Sequence, residues 1–329
     1  MGRSRLAAEA RFATSAVTAV TALQANPADY VFIDIRLDGH DALEMADLVA
    51  ERHPDAIRVL VADPRELASL RSSGVAHRYL PLPWDVEAIA EVVRRRYELE
   101  ALLDDPGLRS VLERTERLPA APSAYNRIAA EMRSPDASLQ RVAAIVAQDP
   151  ALTAKVLKHV NSAYFALRNE VTTIDKAVSL IGMNSVMAIV MAVGLNGGSS
   201  AAPRMGVESI RKQSLAVARL TKAVARVEGI TGADRDTALL AGMLHDCGKL
   251  VLATNWPDEY FEVARGDDLT LETQLFGADH ALIGAHLLAA WKLADAVVEA
   301  VAHHHRPSAG HFDSLGAAAL VHIAHALAH

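Results

Sequence analysis

The stretch Leu239-Leu-Ala-Gly-Met-Leu-His-Asp-Cys-Gly-Lys-Leu-Val-Leu252 decides how this chain is read. Its apolar run is broken by three charged or titratable polar side chains, His245, Asp246 and Lys249. On a helix, His245 and Lys249 stand four residues apart and Asp246 and Lys249 three apart, so an imidazole, a carboxylate and an ammonium converge on one side. Those groups suit phosphate ester chemistry. His and Asp can hold a metal whose water becomes hydroxide near neutral pH, and Lys balances phosphate charge. A His-Asp dipeptide alone is commonplace, so the flanking sequence has to decide its meaning.

Working outward, no strand pattern interrupts the chain from about Leu108 to its end. Ser123–Met132, Ser138–Ala147, Pro150–Asn161, Thr173–Ile181 and Asn184–Leu195 all show helical spacing. Caps are expected at Ser138 or Asp136, at Asp149-Pro150 and at Thr172/Thr173. Asn196–Gly206, rich in Gly and Ser, reads as a loop between two helical lobes. Asn161 and Ser162 fit either a helix cap or a ligand contact, the cap being favoured, and Gly182 fits a tight turn. Before about Tyr97 the pattern alternates. Ala13–Gln24, Asp41–Arg52, Pro64–Ser72 and Asp85–Leu103 read as helices, whereas Tyr30–Asp34, Ile57–Ala62 and Ala76–Leu80 read as strands. That order predicts an open parallel α/β sheet over 1–103. Leu103-Asp-Asp-Pro-Gly107 reads as the junction, and an all-α domain follows over 108–329 with lobes at 108–196 and 207–329.

Composition agrees. Hydrophobic residues make up 51% of the 329 but aromatics only 5%, which favours closely packed Ala, Val and Leu helices. The 33 Lys+Arg against 40 Asp+Glu, a formal charge of −7, argue against a broad nucleic-acid surface. Cys247 is the only cysteine, which fits a reducing cytoplasm. The first residues carry no apolar core of signal-peptide length. The strongest apolar candidate, Val186–Leu195, is about half of the ~20 residues a membrane helix needs, so no membrane association is expected.

In the first helical lobe LPAAPSAYNRI, IVAQDPALTAKVLKHVNSAYF and TTIDKAVSLIGMNSV occur in order, and in the second AGMLHDCGKL is followed by GADHALIGAHLLAAW and AVVEAVAHHHRP. This arrangement resembles the HD-related output domain (HDOD), a branch of the HD metal-phosphohydrolase superfamily. Set beside the cyclic di-GMP-hydrolysing branch of that superfamily, the resemblance implies metal ligands at His245, Asp246, His280, His304, His305 and His325, with Lys249 on the phosphate if the site is active. His303 falls outside the set. Two positions depart: Gln213 stands where the first His belongs and His325 where the last Asp belongs, and Pro307-Ser-Ala-Gly310 replaces a segment that follows the His pair. Gln offers only a neutral carbonyl oxygen, and Asp to His removes a negative charge while keeping a competent donor. On that resemblance His245 and Asp246, with or without His325, could hold one ion, and His280, His304 and His305 with Asp246 bridging could hold a second. The ion expected is iron or manganese before zinc. Each histidine taken singly also reads as a polar residue satisfied at a helix end. His322, His325 and His329 share a helix face by spacing.

VFIDIRLDGHDALEM, IRVLVAD and HRYLPLPW resemble the second half of a response-regulator receiver, a flavodoxin-like fold of two-component systems. The phosphoacceptor position falls on Asp34, but Ala62 and Leu82 stand where that family carries a Ser/Thr and a Lys, and its first strand with the acidic pair is missing. Asp34 is therefore expected to be inactive. Together the resemblances imply a bacterial signal-transduction protein, a non-catalytic output scaffold that binds a regulatory protein or a nucleotide and can homodimerise. The competing reading is a metal-dependent phosphohydrolase acting on cyclic di-GMP.

Overall fold

The computed structural model describes residues 9–36, 39–54, 56–70, 76–116, 118–134, 137–161, 171–194, 205–263, 268–291, 293–310 and 316–328. It forms two compact units, Met1–Glu98 and Leu99–His329.

The first unit runs α1 (Ala16–Ala25), β1 (Tyr30–Asp34), α2 (Gly39–Arg52), β2 (Ile57–Ala62), α3 (Pro64–Leu70), β3 (Arg78–Pro81), and then α4 (Val86–Leu103), whose last residues pass into the second. The sheet is parallel in the order β1-β2-β3, with Tyr30 opposite Ile57 and Val59 opposite Arg78. β2 needs its unbroken apolar run because both faces are covered. Leu60 packs with Ile33, Ala46 and Val49, while Val59 and Val61 pack with Leu80 and, from α4, Ile89 and Val92. Of the boundaries that shift from the sequence reading, two have a visible cause. α1 begins at Ala16 because Ser15 and Thr18 form a capping box there. β3 begins at Arg78, since its pairing with β2 starts at Val59.

The described residues of the second unit form helices joined by turns and contain no strand. Its first half holds α5 (Pro106–Arg114), α6 (Ser123–Arg133), α7 (Leu139–Ala147), α8 (Pro150–Val160) and α9 (Ile174–Gly194). Its second half holds α10 (Met205–Val227), α11 (Gly232–Leu244), α12 (Cys247–Asn255), α13 (Pro257–Val263) and α14 (Leu269–Phe276). There follow α15 (His280–Ala290), α16 (Asp295–Ala302), a 3₁₀ turn at Pro307–Gly310 and α17 (Ala317–Ala328). At the expected junction α4 stops at Leu103 and a new helix, α5, starts at Pro106. Asp105 accepts a hydrogen bond from the Leu108 N–H at 2.9 Å, and Pro106 occupies the first helical turn, where its missing N–H costs nothing.

Other caps fall where the sequence places them. Ser138 accepts from Arg141 N–H, Asp149 from Ala151 and Leu152 N–H, and Thr173 Oγ1 from Lys176 N–H at 3.4 Å. Asp136, Ser162, residues 196–204 of the expected inter-lobe loop and His329 lie outside the described residues. The two helices expected around Gly182 join as α9, interrupted only there, where φ is +80° and ψ 163°. Val186–Gly194 of the expected apolar candidate thus belongs to a longer apolar element, and Leu195 lies outside the described residues. By length and composition α9 is the one described helix that could cross a membrane, and half of its apolar window is buried. Ala177, Val178, Ile189 and Val190 within it lie in the core of this unit.

Candidate metal centre

The path of the backbone explains how the polar groups of Leu239–Leu252 come together. α11 ends at Leu244 and α12 starts at Cys247, so His245 and Asp246 occupy the junction and not the interior of one helix, as the sequence pattern had suggested. Asp246 at φ −95°, ψ 13° leaves the helical region and stands at the N-cap position of α12 without a side-chain capping bond, its carboxylate turned to the cluster instead. α12 then packs against α15 through glycines. A Cβ added to Gly248 would stand 2.0 Å from the His280 carbonyl oxygen, and one added to Gly284 would lie 2.9 Å from Cys247 Sγ. That close crossing carries His280, the first residue of α15, to Asp246. His304 and His305 follow the end of α16, and His325 projects from α17.

Five histidines and one carboxylate converge. Asp246 Oδ2 lies 3.4 Å from His245 Nε2, while Asp246 Oδ1 lies 3.4 Å from His280 Nε2 and 3.0 Å from Lys249 Nζ. His305 Nε2 is 3.0 Å from His280 Nε2, and His325 Nδ1 is 3.4 Å from His245 Nε2. Two triplets have all their ligand atoms within 4.8 Å of one another: His245, His304 and His325, and His280, His304 and His305. His304 belongs to both.

Hydrogen bonds at the far side of three rings fix which nitrogen carries a lone pair. His245 Nδ1 donates to the Gly242 carbonyl at 2.9 Å and His304 Nδ1 to the Val301 carbonyl at 2.7 Å. His280 Nδ1 lies 2.7 Å from Glu272 Oε2, which also accepts the His280 backbone N–H at 2.7 Å. Because a carbonyl cannot donate, the proton sits on Nδ1 of His245 and His304; the Glu272 carboxylate fixes His280 likewise, so each ring offers Nε2 to the cluster.

The residues fit a divalent ion. His304 Nε2 is buried without a hydrogen-bond partner, a costly arrangement for a lone pair unless an electron-poor group meets it. Burial, with Lys249 and His325 adding to it and Asp246 opposing, pulls His245 down to about 4. Burial and the neighbouring His245, His305 and His280 hold His304 well below the usual imidazole range. Both are neutral at pH 7, the form that ligates. His245, Asp246, His280 and His304 are wholly buried, with Lys249 and His325 nearly so.

Glu272 was not legible as a site residue. It ends up beneath His280 because Gly277, at φ +106°, closes α14 in the left-handed conformation and Asp279 then caps α15, turning the chain back on itself. The Gly-Ala-Asp-His order at Gly277–His280 is the signal that could have found that turn. His322 belongs to neither triplet; its Nδ1 donates to the His304 carbonyl at 2.8 Å and so holds the backbone of the shared ligand. Gln213 lies half-buried on α10, and His303 closes α16 outside both triplets. Cys247 is buried with its thiol pushed up by that burial and is in neither triplet.

Asp34, in the first unit, ends β1 and is bound by a neighbour. Arg36 grips both of its oxygens, Nε to Oδ1 at 2.9 Å and Nη2 to Oδ2 at 2.6 Å, which holds its carboxyl below the usual range despite partial burial.

Comparison with known proteins shows the family and the fold. A protein of Treponema pallidum (strain Nichols) described only as uncharacterized is 28% identical over 207 residues, covering 60% of this chain and 39% of that protein. The chain thus spans well under half the length of that curated relative. The solved structure of a candidate phosphohydrolase from Shewanella amazonensis SB2B is 26% identical with a TM-score of 0.55, covering 69% of this chain and 81% of that one. A candidate metal-dependent phosphohydrolase from the same organism is 24% identical with a TM-score of 0.50, covering 70% and 81%, and shares the fold. The sequence model of the HDOD domain matches residues 118–307, more than half of the chain, and the chain belongs to the HDOD family.

Proposed function

We propose that this chain is a signal-transduction protein whose HDOD domain is a non-catalytic output scaffold for a regulatory protein, with an ion-binding cluster that serves structure. The observation that carries this reading is the burial of His245, Asp246, His280 and His304 without any solvent exposure. A hydrolytic metal keeps an open position for water and substrate, whereas a structural one is enclosed by its ligands. Lys249 points the same way, because its ammonium is spent on Asp246 at 3.0 Å. Bound here, a divalent ion would cross-link the α11–α12 junction to the start of α15 and to the segment after α16. A donor set dominated by imidazole favours iron or zinc over manganese.

The first unit serves in this proposal as a receiver-like docking or dimerisation module. Its support is the parallel β1-β2-β3 sheet and an Asp34 already paired with Arg36. Assay of the iron- or zinc-loaded chain with bis(4-nitrophenyl) phosphate and with cyclic di-GMP is expected to show no turnover above buffer. Turnover that His245→Ala abolishes would instead establish the second reading, a phosphohydrolase. That reading has in its favour the name of the Shewanella relative.

A further inference from the structure

The two histidine triplets share one ring, and a ring nitrogen has a single lone pair. His304 gives its Nδ1 proton to the Val301 carbonyl, so only Nε2 remains, and it can serve one ion at a time. Full three-histidine coordination is therefore available to one triplet or to the other. The charges nearby agree. Asp246 and Glu272 set against Lys249 leave one net negative charge for the whole cluster, which suits one divalent ion better than two.

The two triplets are not equivalent in what stands behind them. His245 is backed by a backbone carbonyl, whereas His280 is backed by the buried Glu272 carboxylate at 2.7 Å, with the same oxygen holding the His280 backbone N–H. A charged acceptor behind an imidazole strengthens it as a donor and fixes its direction. His280 Nε2 and His305 Nε2 already face each other at 3.0 Å, and the orphaned Nε2 of His304 is the third donor.

Resting on the ion-binding reading above, we infer that the cluster holds one divalent transition-metal ion per chain, on His280, His304 and His305 with the Asp246 carboxylate, whose Oδ1 lies 3.4 Å from His280 Nε2, as fourth donor, and with Glu272 as the positioning residue for His280. His245 and His325 then lie beside the ion and do not hold it.

The test is titration of ion-free full-length protein with Co²⁺, followed by visible absorption and by elemental analysis after desalting. Wild type is expected to retain one equivalent. His280→Ala and His305→Ala are expected to lose it, while His245→Asn and His325→Asn keep one equivalent with an unchanged spectrum. Glu272→Gln is expected to weaken binding by about 10- to 100-fold and to shift the cobalt bands, with Glu272→Asp recovering part of both. A purely structural role for Glu272 would alter melting of the ion-free protein and leave the bands in place. Two equivalents in wild type, or loss in His325→Asn with retention in His280→Ala, overturns the assignment while leaving the ion-binding reading intact. No retained ion in wild type overturns both. The wild-type stoichiometry decides between one ion and two even if a variant fails to fold.

Discussion

Gly248 and His280 touch backbone to backbone: a single added Cβ on the glycine would sit 2.0 Å from the His280 carbonyl oxygen and 2.8 Å from Gly284 N. No side-chain rotation can relieve such a contact, so α12 and α15 would have to separate. Gly248→Ala is accordingly expected to cost about 3 kcal/mol, the upper part of the range for overpacking, and to weaken ion binding as His280 withdraws from Asp246. Urea denaturation of the ion-free protein measures the first effect and Co²⁺ titration the second. Wild-type stability in Gly248→Ala would show that the two helices do not cross this closely.

Asn161 closes a ring of backbone. Its Nδ2 donates to the Val171 carbonyl at 2.8 Å and its Oδ1 accepts the Val171 N–H at 2.7 Å. Both partners belong to a residue ten positions on, which assigns Asn161 a structural role of the kind the sequence reading favoured. Asn161→Ala leaves two part-buried backbone groups unsatisfied and is expected to destabilise the protein by about 1–3 kcal/mol. Asn161→Asp, which keeps the acceptor and loses the donor, is expected to fall between that variant and wild type. Equal stability of all three by urea denaturation would return Asn161 to the candidate ligands.

What was legible in the sequence was what a period or a motif frame can carry. β1 and β2 were readable because strands covered on both faces need unbroken apolar runs, and residues of the centre such as His280 and His304 because their family frame survives. The break between α11 and α12 was not readable. An apolar run buried on all sides has no exposed face to mark where its helix ends, and Asp246 gives that end only through its backbone angles. Glu272 was hidden for another reason: its partner lies across a left-handed turn at Gly277, and helix periodicity says nothing about residues on two different helices. The double membership of His304 is likewise a fact of three dimensions.

Asp34 offers a prediction for the first unit. A phosphoacceptor carboxylate must be free to attack and must have cations to take up the phosphoryl charge. Here Arg36 occupies both oxygens, and Ala62 and Leu82 bring neither a hydroxyl nor an ammonium. Incubation with acetyl phosphate and Mg²⁺ is expected to add no phosphoryl mass to the protein, in wild type or in Arg36→Ala. A label lost in Asp34→Asn would reinstate the switch.

Acid should act on the cluster in one direction. In the unfolded chain His245 titrates near the ordinary value of about 6.5, whereas in the folded protein burial holds it at about 4. Between those two values the unfolded state binds a proton that the native state refuses, so stability falls as the pH falls. The contribution of His245 is complete above pH ~6.5 and is lost as the pH drops towards 4, amounting to roughly 3 kcal/mol if the whole difference is realised. His304 is displaced in the same direction, again chiefly by burial, and steepens the loss. Urea denaturation of ion-free protein at pH 7.5, 6 and 5 is expected to show a progressive decline, and His245→Gln, which cannot take up the proton, a shallower one. Stability that stayed level across this range would mean that these rings reach water, and with it the enclosure on which the non-catalytic reading depends would be gone.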